Sequence, residues 1–115
     1  MTREVKRGDI YRVNWDPSRG SEQKGTRPAL VIQNNIGNTY SPTTIVAIIT
    51  TSMNKTYPFT VPVTIKESGL PRNSMVNLAA ILTIDKNRLT EKCGALNSNK
   101  MAEIDTAIKA SLALD

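Results

Sequence analysis

A chain of 115 residues with 39% hydrophobic residues has room for one domain, residues 1–115, and is too apolar for global disorder. With no histidine and a single cysteine, Cys93, it excludes a Cys/His zinc site, a Ser-His-Asp or Cys-His pair and an intrachain disulfide. Its net charge of +5 favours acidic or phosphate-bearing partners, although the basic residues are scattered and form no tail.

The elements follow in chain order. Residues 9–15 (DIYRVNW) alternate, with Tyr11, Val13 and Trp15 on one face, which predicts a half-buried strand. Residues 16–26 collect Pro, Gly, Ser and charge and read as a loop. Residues 28–34 (PALVIQN) are a near-continuously apolar strand, and Asn35 to Pro42 reads as a turn. The β-branched run 43–51 (TTIVAIITT) is a third strand. Residues 58–65 alternate Phe59, Val61, Val63 and Ile65, and Pro62 inside the run assigns that strand to a sheet edge. Glu67 to Asn73 reads as a turn. Residues 74–84 form one long strand or two joined by a bend, and Asp85 to Leu89 a single helical turn. Residues 91–96 are a short strand, on which Cys93 is a small half-buried residue. The period then changes. Met101, Ile104, Ile108 and Leu112 fall on one face of a terminal helix capped by Asn97 or Ser98. Six or seven short strands without long crossovers predict a mainly β fold, an antiparallel, strongly bent sheet or small barrel with that helix attached. No stretch approaches the ~20 apolar residues of a membrane span, which points to a soluble, cytoplasmic protein with no membrane partner.

The stretch GSEQKGTRPALVIQNNIGN, residues 20–38, sets a polar loop and Arg27 directly before a proline and an apolar strand. That order fixes a cation at the rim of a rigid sheet, where binding and catalytic groups usually sit. Thr50, Thr51 and Ser52 end a neighbouring strand and could face it. Together they read as a site for an anionic ligand. From composition alone Arg27 reads as an exposed loop residue rather than a site group, a preference that the surrounding motif reverses, and at least one of the three hydroxyls is an ordinary strand-edge group. Trp15 reads as core or as a dimer contact, and Arg19 and Lys24 as solvated charges adding diffuse attraction. Asn73, Ser74 and Asn77 serve either as turn and strand-start residues or as lining of a groove.

KRGDIYRVNWDP (6–17), GSEQKGTRPALVIQNNIGNTYSPTTIVAIIT (20–50) and TIDKNRLTEK (83–92) resemble, in this order, the MazF/PemK toxins of bacterial toxin–antitoxin pairs. The resemblance implies a small SH3-like antiparallel β-barrel, as in MazF and the gyrase poison CcdB, assembled as a homodimer. It implies a metal-free, cofactor-free ribonuclease that cuts single-stranded mRNA at a short sequence, leaving 2′,3′-cyclic phosphate and 5′-hydroxyl ends. It also implies an acidic, MazE-like antitoxin that occupies the RNA groove. The family's catalytic arginine and threonine fall on Arg27 and Thr50. Its RNA-holding segment falls on Ser21, Glu22 and Gln23, joined by Lys24, Pro28, Thr51 and Ser52. Many relatives read Glu-Gln-(Ile/Val)-Arg before the TID block; here Ala79, Ala80, Ile81 and Leu82 stand instead, which implies a different cleavage sequence.

From the residues themselves, Arg27 suits charge stabilisation, Thr50 donation to a phosphate oxygen, and Glu22 proton removal or orientation of the guanidinium. A gyrase poison is the competing reading. CcdB acts through a tryptophan at its C-terminus, whereas this sequence ends SLALD and has only Trp15. A barrel that binds RNA or antitoxin without cutting is the third.

Overall fold

The computed structural model describes residues 4–15, 26–51 and 55–115. Six antiparallel strands form one curled sheet. They are β1 (Asp9–Asn14), β2 (Thr26–Val31), β3 (Thr43–Thr50), β4 (Thr60–Val63), β5 (Ser74–Asp85) and β6 (Leu89–Ala95), in the order β4-β5-β3-β2-β1-β6. Three helices accompany them: α1 (Asn35–Tyr40), α2 (Ile65–Ser68) and α3 (Ser98–Leu112). A single 3-10 turn, Lys86–Arg88, joins β5 to β6 where one helical turn is expected.

Period-two alternation sends side chains to both faces of the sheet, and both faces carry apolar clusters. Ile10, Leu30, Ala47, Ile49, Val76 and Leu78 pack beneath α3. Tyr11, Val13, Ala29, Val31 and Val46 form the opposite cluster, with Trp15 half-buried against it. Along α3, Ile104 and Ala107 are fully buried, and Met101 and Ile108 flank them. Leu112 departs from its expected role: as the last residue of α3 it is 55% exposed. Asn97 caps the helix by accepting from the Lys100 N–H.

β5 is one strand with a bend. Ala47 faces Ile81, yet the next residue, Ile48, faces Asn77, so Leu78, Ala79 and Ala80 are extra on the β5 side. Asn77 Oδ1 accepts from the Ala79 N–H at 2.9 Å and shapes the bulge. Such an insertion turns the strand and increases local twist. The half before the bulge pairs with both β3 and β4, and the half after it with β3 alone. β4 is an outer strand, as Pro62 requires.

One expected turn is a helix, and a second helix spans the junction of an expected strand and an expected turn. Asn35–Tyr40 is helical because Asn34 caps it, accepting from the Gly37 N–H at 2.8 Å. Asn38 is buried there, donating to the Gln33 carbonyl and accepting from Thr44 Oγ1 at 2.7 Å. Polar residues that suggest a solvated turn are thus satisfied internally. Likewise the fourth strand stops at Val63, and Ile65, expected as a strand residue, opens α2 with its side chain 51% exposed. The Thr64 hydroxyl accepts from the Glu67 N–H, and the Glu67 carboxylate from the Thr64 N–H. This capping box starts a helix where alternation suggests a strand.

The sheet's curl is closed by backbone. α2 follows the outer strand β4 and ends at Gly69, which has φ +77° and lies against β6 at the other rim. A Cβ on Gly69 would lie 2.1 Å from the Cys93 carbonyl oxygen, and one on Gly94 2.4 Å from the Ser68 carbonyl oxygen. Only glycines allow this approach.

Candidate functional site

Arg27 lies near the start of β2, exposed to solvent and paired with Val13 of β1. On its other side β2 pairs with β3 through Ala29–Ile48, Leu30–Ala47 and Val31–Val46. Continuing that register two residues sets Arg27 level with Thr50. Residues opposite one another share a face, and so do residues two apart along a strand. Arg27 therefore shares the face of Ala29 and Val31, and Thr50 that of Val46. Thr50 in turn faces Met75 of β5, and Ile48 faces Asn77. Arg27, Thr50, Met75 and Asn77 thus occupy one end of one sheet face, with the apolar cluster of Val13 and Val31 behind them. Among the described residues Arg27 makes no ion pair. Pro28 points to the other face, half-buried. It fixes the backbone after Arg27 and lacks an N–H to donate.

Beside Thr50 the surface opens into a cleft of about 410 Å³. Four of the residues expected at the site line it: Thr50, Thr51, Asn73 and Ser74. Three more, which sequence reasoning did not single out, are Thr64, Glu67 and Lys100. The Thr-x-x-Glu spacing of Thr64 and Glu67 was a readable signal for the first two. Nothing in the sequence marks Lys100, which reaches the cleft from the first turn of α3. Arg27 does not line this cleft; it lies on the other side of Thr50.

Among the described residues, the one cation lining the cleft is met by two carboxylates. Lys100 Nζ is only 14% exposed as a side chain and lies 3.4 Å from both Glu67 and Glu103. It also donates to the Pro62 carbonyl at 3.2 Å, which joins α3 to the edge strand. The Glu67 carboxyl is held below its ordinary value of 4.5, chiefly by the Thr64 N–H; partial burial opposes this and Lys100 assists it.

The three residues left undecided by sequence divide. Asn73 Oδ1 accepts from the Ile65 N–H at 3.0 Å, securing the start of α2, while the residue lines the cleft. Ser74 is buried and donates to the Arg72 carbonyl, so its hydroxyl is engaged in the turn. Asn77 shapes the bulge and shares the face of Arg27 and Thr50. Ser21, Glu22, Gln23, Lys24 and Ser52 lie outside the described residues, as does Arg19. Cys93 is half-buried on β6, as expected, and burial pushes its thiol above the usual 9.0. Among the described residues no three potential metal ligands cluster, and no helix is long and apolar enough to cross a membrane.

Arg27 and Thr50 are the two positions to which the sequence resemblance assigns the family's catalytic pair. Comparison with known proteins bears on the family. The model of the PemK-like, MazF-like toxins of type II toxin–antitoxin systems matches residues 6–112. Endoribonuclease EndoA of Bacillus subtilis is 50% identical over 111 residues, 96% of each chain.

The chain belongs to the PemK/MazF toxin family.

Another PemK/MazF relative, Endoribonuclease MazF of Staphylococcus epidermidis, is 46% identical over 112 residues, covering 96% of this chain and 93% of its own. Among solved structures, a mycobacterial endoribonuclease in complex with its cognate antitoxin superposes with a TM-score of 0.78 at 27% identity, covering 96% of this chain and 97% of its own. The curled six-stranded sheet with a C-terminal helix is therefore the PemK/MazF architecture, as expected.

Proposed function

We propose that this chain is the endoribonuclease toxin of a type II toxin–antitoxin pair, one toxin domain over residues 1–115. It cuts single-stranded mRNA at a short recognition sequence, without a metal or cofactor, and leaves 2′,3′-cyclic phosphate and 5′-hydroxyl ends. The observation that carries the reading is the shared face of Arg27 and Thr50 at adjacent strand ends, in a family whose relatives bear the name endoribonuclease.

RNA supplies its own nucleophile. The 2′-oxygen attacks the adjacent phosphorus, the bond from phosphorus to the 5′-oxygen breaks, and the 2′-proton leaves while the 5′-oxygen gains one. Intramolecular attack already has the advantage of proximity. What the protein must add is alignment, proton transfer and compensation of charge on the phosphoryl oxygens. The Arg27 guanidinium offers a planar fork of donors to those oxygens. The Thr50 hydroxyl donates from a β-branched, rotamer-restricted side chain. A guanidinium is a poor base, so Glu22 takes the proton or orients Arg27. Thr51, Ser52, Asn77 and the segment Ser21, Gln23 and Lys24 hold the strand on either side.

The toxin works in the cytoplasm as a homodimer, and an acidic MazE-like antitoxin silences it by covering the same face. Support for such a partner comes from the mycobacterial relative solved with its cognate antitoxin. The test is incubation of the purified protein with a long defined RNA in EDTA, followed by sequencing of the fragments' 5′ ends. Cuts at one short motif are expected. Intact RNA together with gyrase inhibition, or with binding alone, overturns the reading.

A further inference from the structure

We infer that the cleft beside Thr50 seats one unpaired nucleobase next to the scissile phosphate, and that Asn73 sets which base is accepted there. This rests on the ribonuclease reading above.

Position comes first. The cleft shares Thr50 with the face that carries Arg27, so a strand whose phosphate meets Arg27 and Thr50 has a neighbouring base within reach of it. A volume of about 410 Å³ falls in the range of small-ligand sites, roughly 300–1,000 Å³.

Charge then separates a base from a phosphate. Among the described residues Lys100 is the only cation lining the cleft, and Glu67 and Glu103 each lie 3.4 Å from it. Two carboxylates against one ammonium leave the cluster with a net negative charge. A phosphate entering there is repelled. A neutral base is not, and Met75 and Pro62 offer it an apolar wall.

Hydrogen bonding narrows the base. Asn73 Oδ1 is taken by the Ile65 N–H, which fixes the amide's orientation. Its NH2 has no partner among the described residues and is left to donate. Exposed Thr51 supplies a second hydroxyl on the same wall. Ser74 has already committed its proton to Arg72, and both Glu67 oxygens are engaged by Thr64 and Lys100. The available group on Asn73 is thus a donor. Facing the 4-position of a pyrimidine or the 6-position of a purine, it selects the keto oxygen of uracil or guanine over the amino group of cytosine or adenine. Reading single-stranded RNA by its exposed base edges is the general mode of sequence-specific recognition.

Asn73→Asp tests this without removing a framework bond. The carboxylate still accepts from Ile65, but the donor becomes an acceptor. The added negative charge weakens RNA binding whatever the sequence, so the readout is the ratio among bases, not the overall rate. Wild type and variant are each given an RNA library randomised around the cut, and the new 5′ ends are sequenced. At one position beside the cut, the wild type prefers a keto base, and Asn73→Asp lowers that preference at least about 10-fold, the scale set by an unmatched buried donor. Preferences at the other positions stay as they were. A folded Asn73→Asp, with the wild-type melting temperature, whose base preferences are unchanged everywhere overturns the inference. If that variant melts lower, Thr51→Val, which removes the second hydrogen-bonding hydroxyl at an exposed bend, decides in the same assay: a changed base preference at that position alone supports the seat, and an unchanged one overturns it. A wild type that leaves the library uncut overturns the ribonuclease reading itself.

Discussion

At the scale of single residues, Arg27 and Thr50 bear the proposed chemistry, and their surroundings separate chemistry from folding. Arg27 is exposed and has no ion pair among the described residues, so its loss leaves the fold intact. Arg27→Ala is expected to slow single-turnover cutting of a defined RNA by about 10²–10³-fold, the usual cost of deleting a donor aimed at transition-state charge. Its melting temperature stays at the wild-type value, since surface substitutions usually change stability by less than about 0.5 kcal/mol. Glu22 is proposed to take the proton or to orient Arg27. Glu22→Gln should therefore flatten the acidic limb of the pH–rate profile; an unchanged profile rejects the base role and leaves only orientation of Arg27. Arg27 and Thr50 were legible because a specific motif surrounds them. Lys100 was not, because nothing in its neighbourhood along the chain reveals that it meets Glu67 thirty-odd residues earlier.

Among the elements, strands were easier to read than short helices, for physical reasons. The β-branched run of β3 and the alternation of β1 announce themselves through burial on two faces. Pro62 assigned β4 to an edge because it cannot donate to a second neighbour. By contrast α1 and α2 are one or two turns long, too short for any apolar periodicity to develop. They exist because single side chains cap them: Asn34 for α1, and the Thr64–Glu67 pair for α2. The second cap gives a pH prediction. Glu67 titrates below 4.5 in the folded chain, so its contribution is complete above that value and is lost as the pH falls through the lowered one. Glu67→Gln keeps the capping geometry but not the charge. The variant should melt below the wild type at pH 7, and the gap should close as both are acidified past pH 4.5. A gap that persists at a pH low enough to protonate Glu67 in the folded chain would show that lost shape, not lost charge, is responsible.

For the whole molecule, the decisive join is that of α2 to β6. Gly94→Ala would bring a methyl to 2.4 Å from the Ser68 carbonyl oxygen, backbone that cannot swing aside. A loss of roughly 1–3 kcal/mol is expected in urea unfolding, typical of overpacking, with the rate of RNA cutting per folded molecule retained. No reading of the sequence located this contact, because glycine in a strand signals only that something approaches closely. The bend at Leu78–Ala80 has the same character: a long strand with an interruption was legible, but its three extra residues become visible only against the partner strand.

In an open sheet the outermost strands fray first, because each is held from one side only. Here the chain leaving one margin is seated, carbonyl against glycine, on the other margin, so neither can lift away without parting the seam. Amide hydrogen exchange should then be nearly as slow at Val61 and Cys93 as at Ala47 in the middle, whereas the Gly94→Ala protein should let both margins exchange early and together.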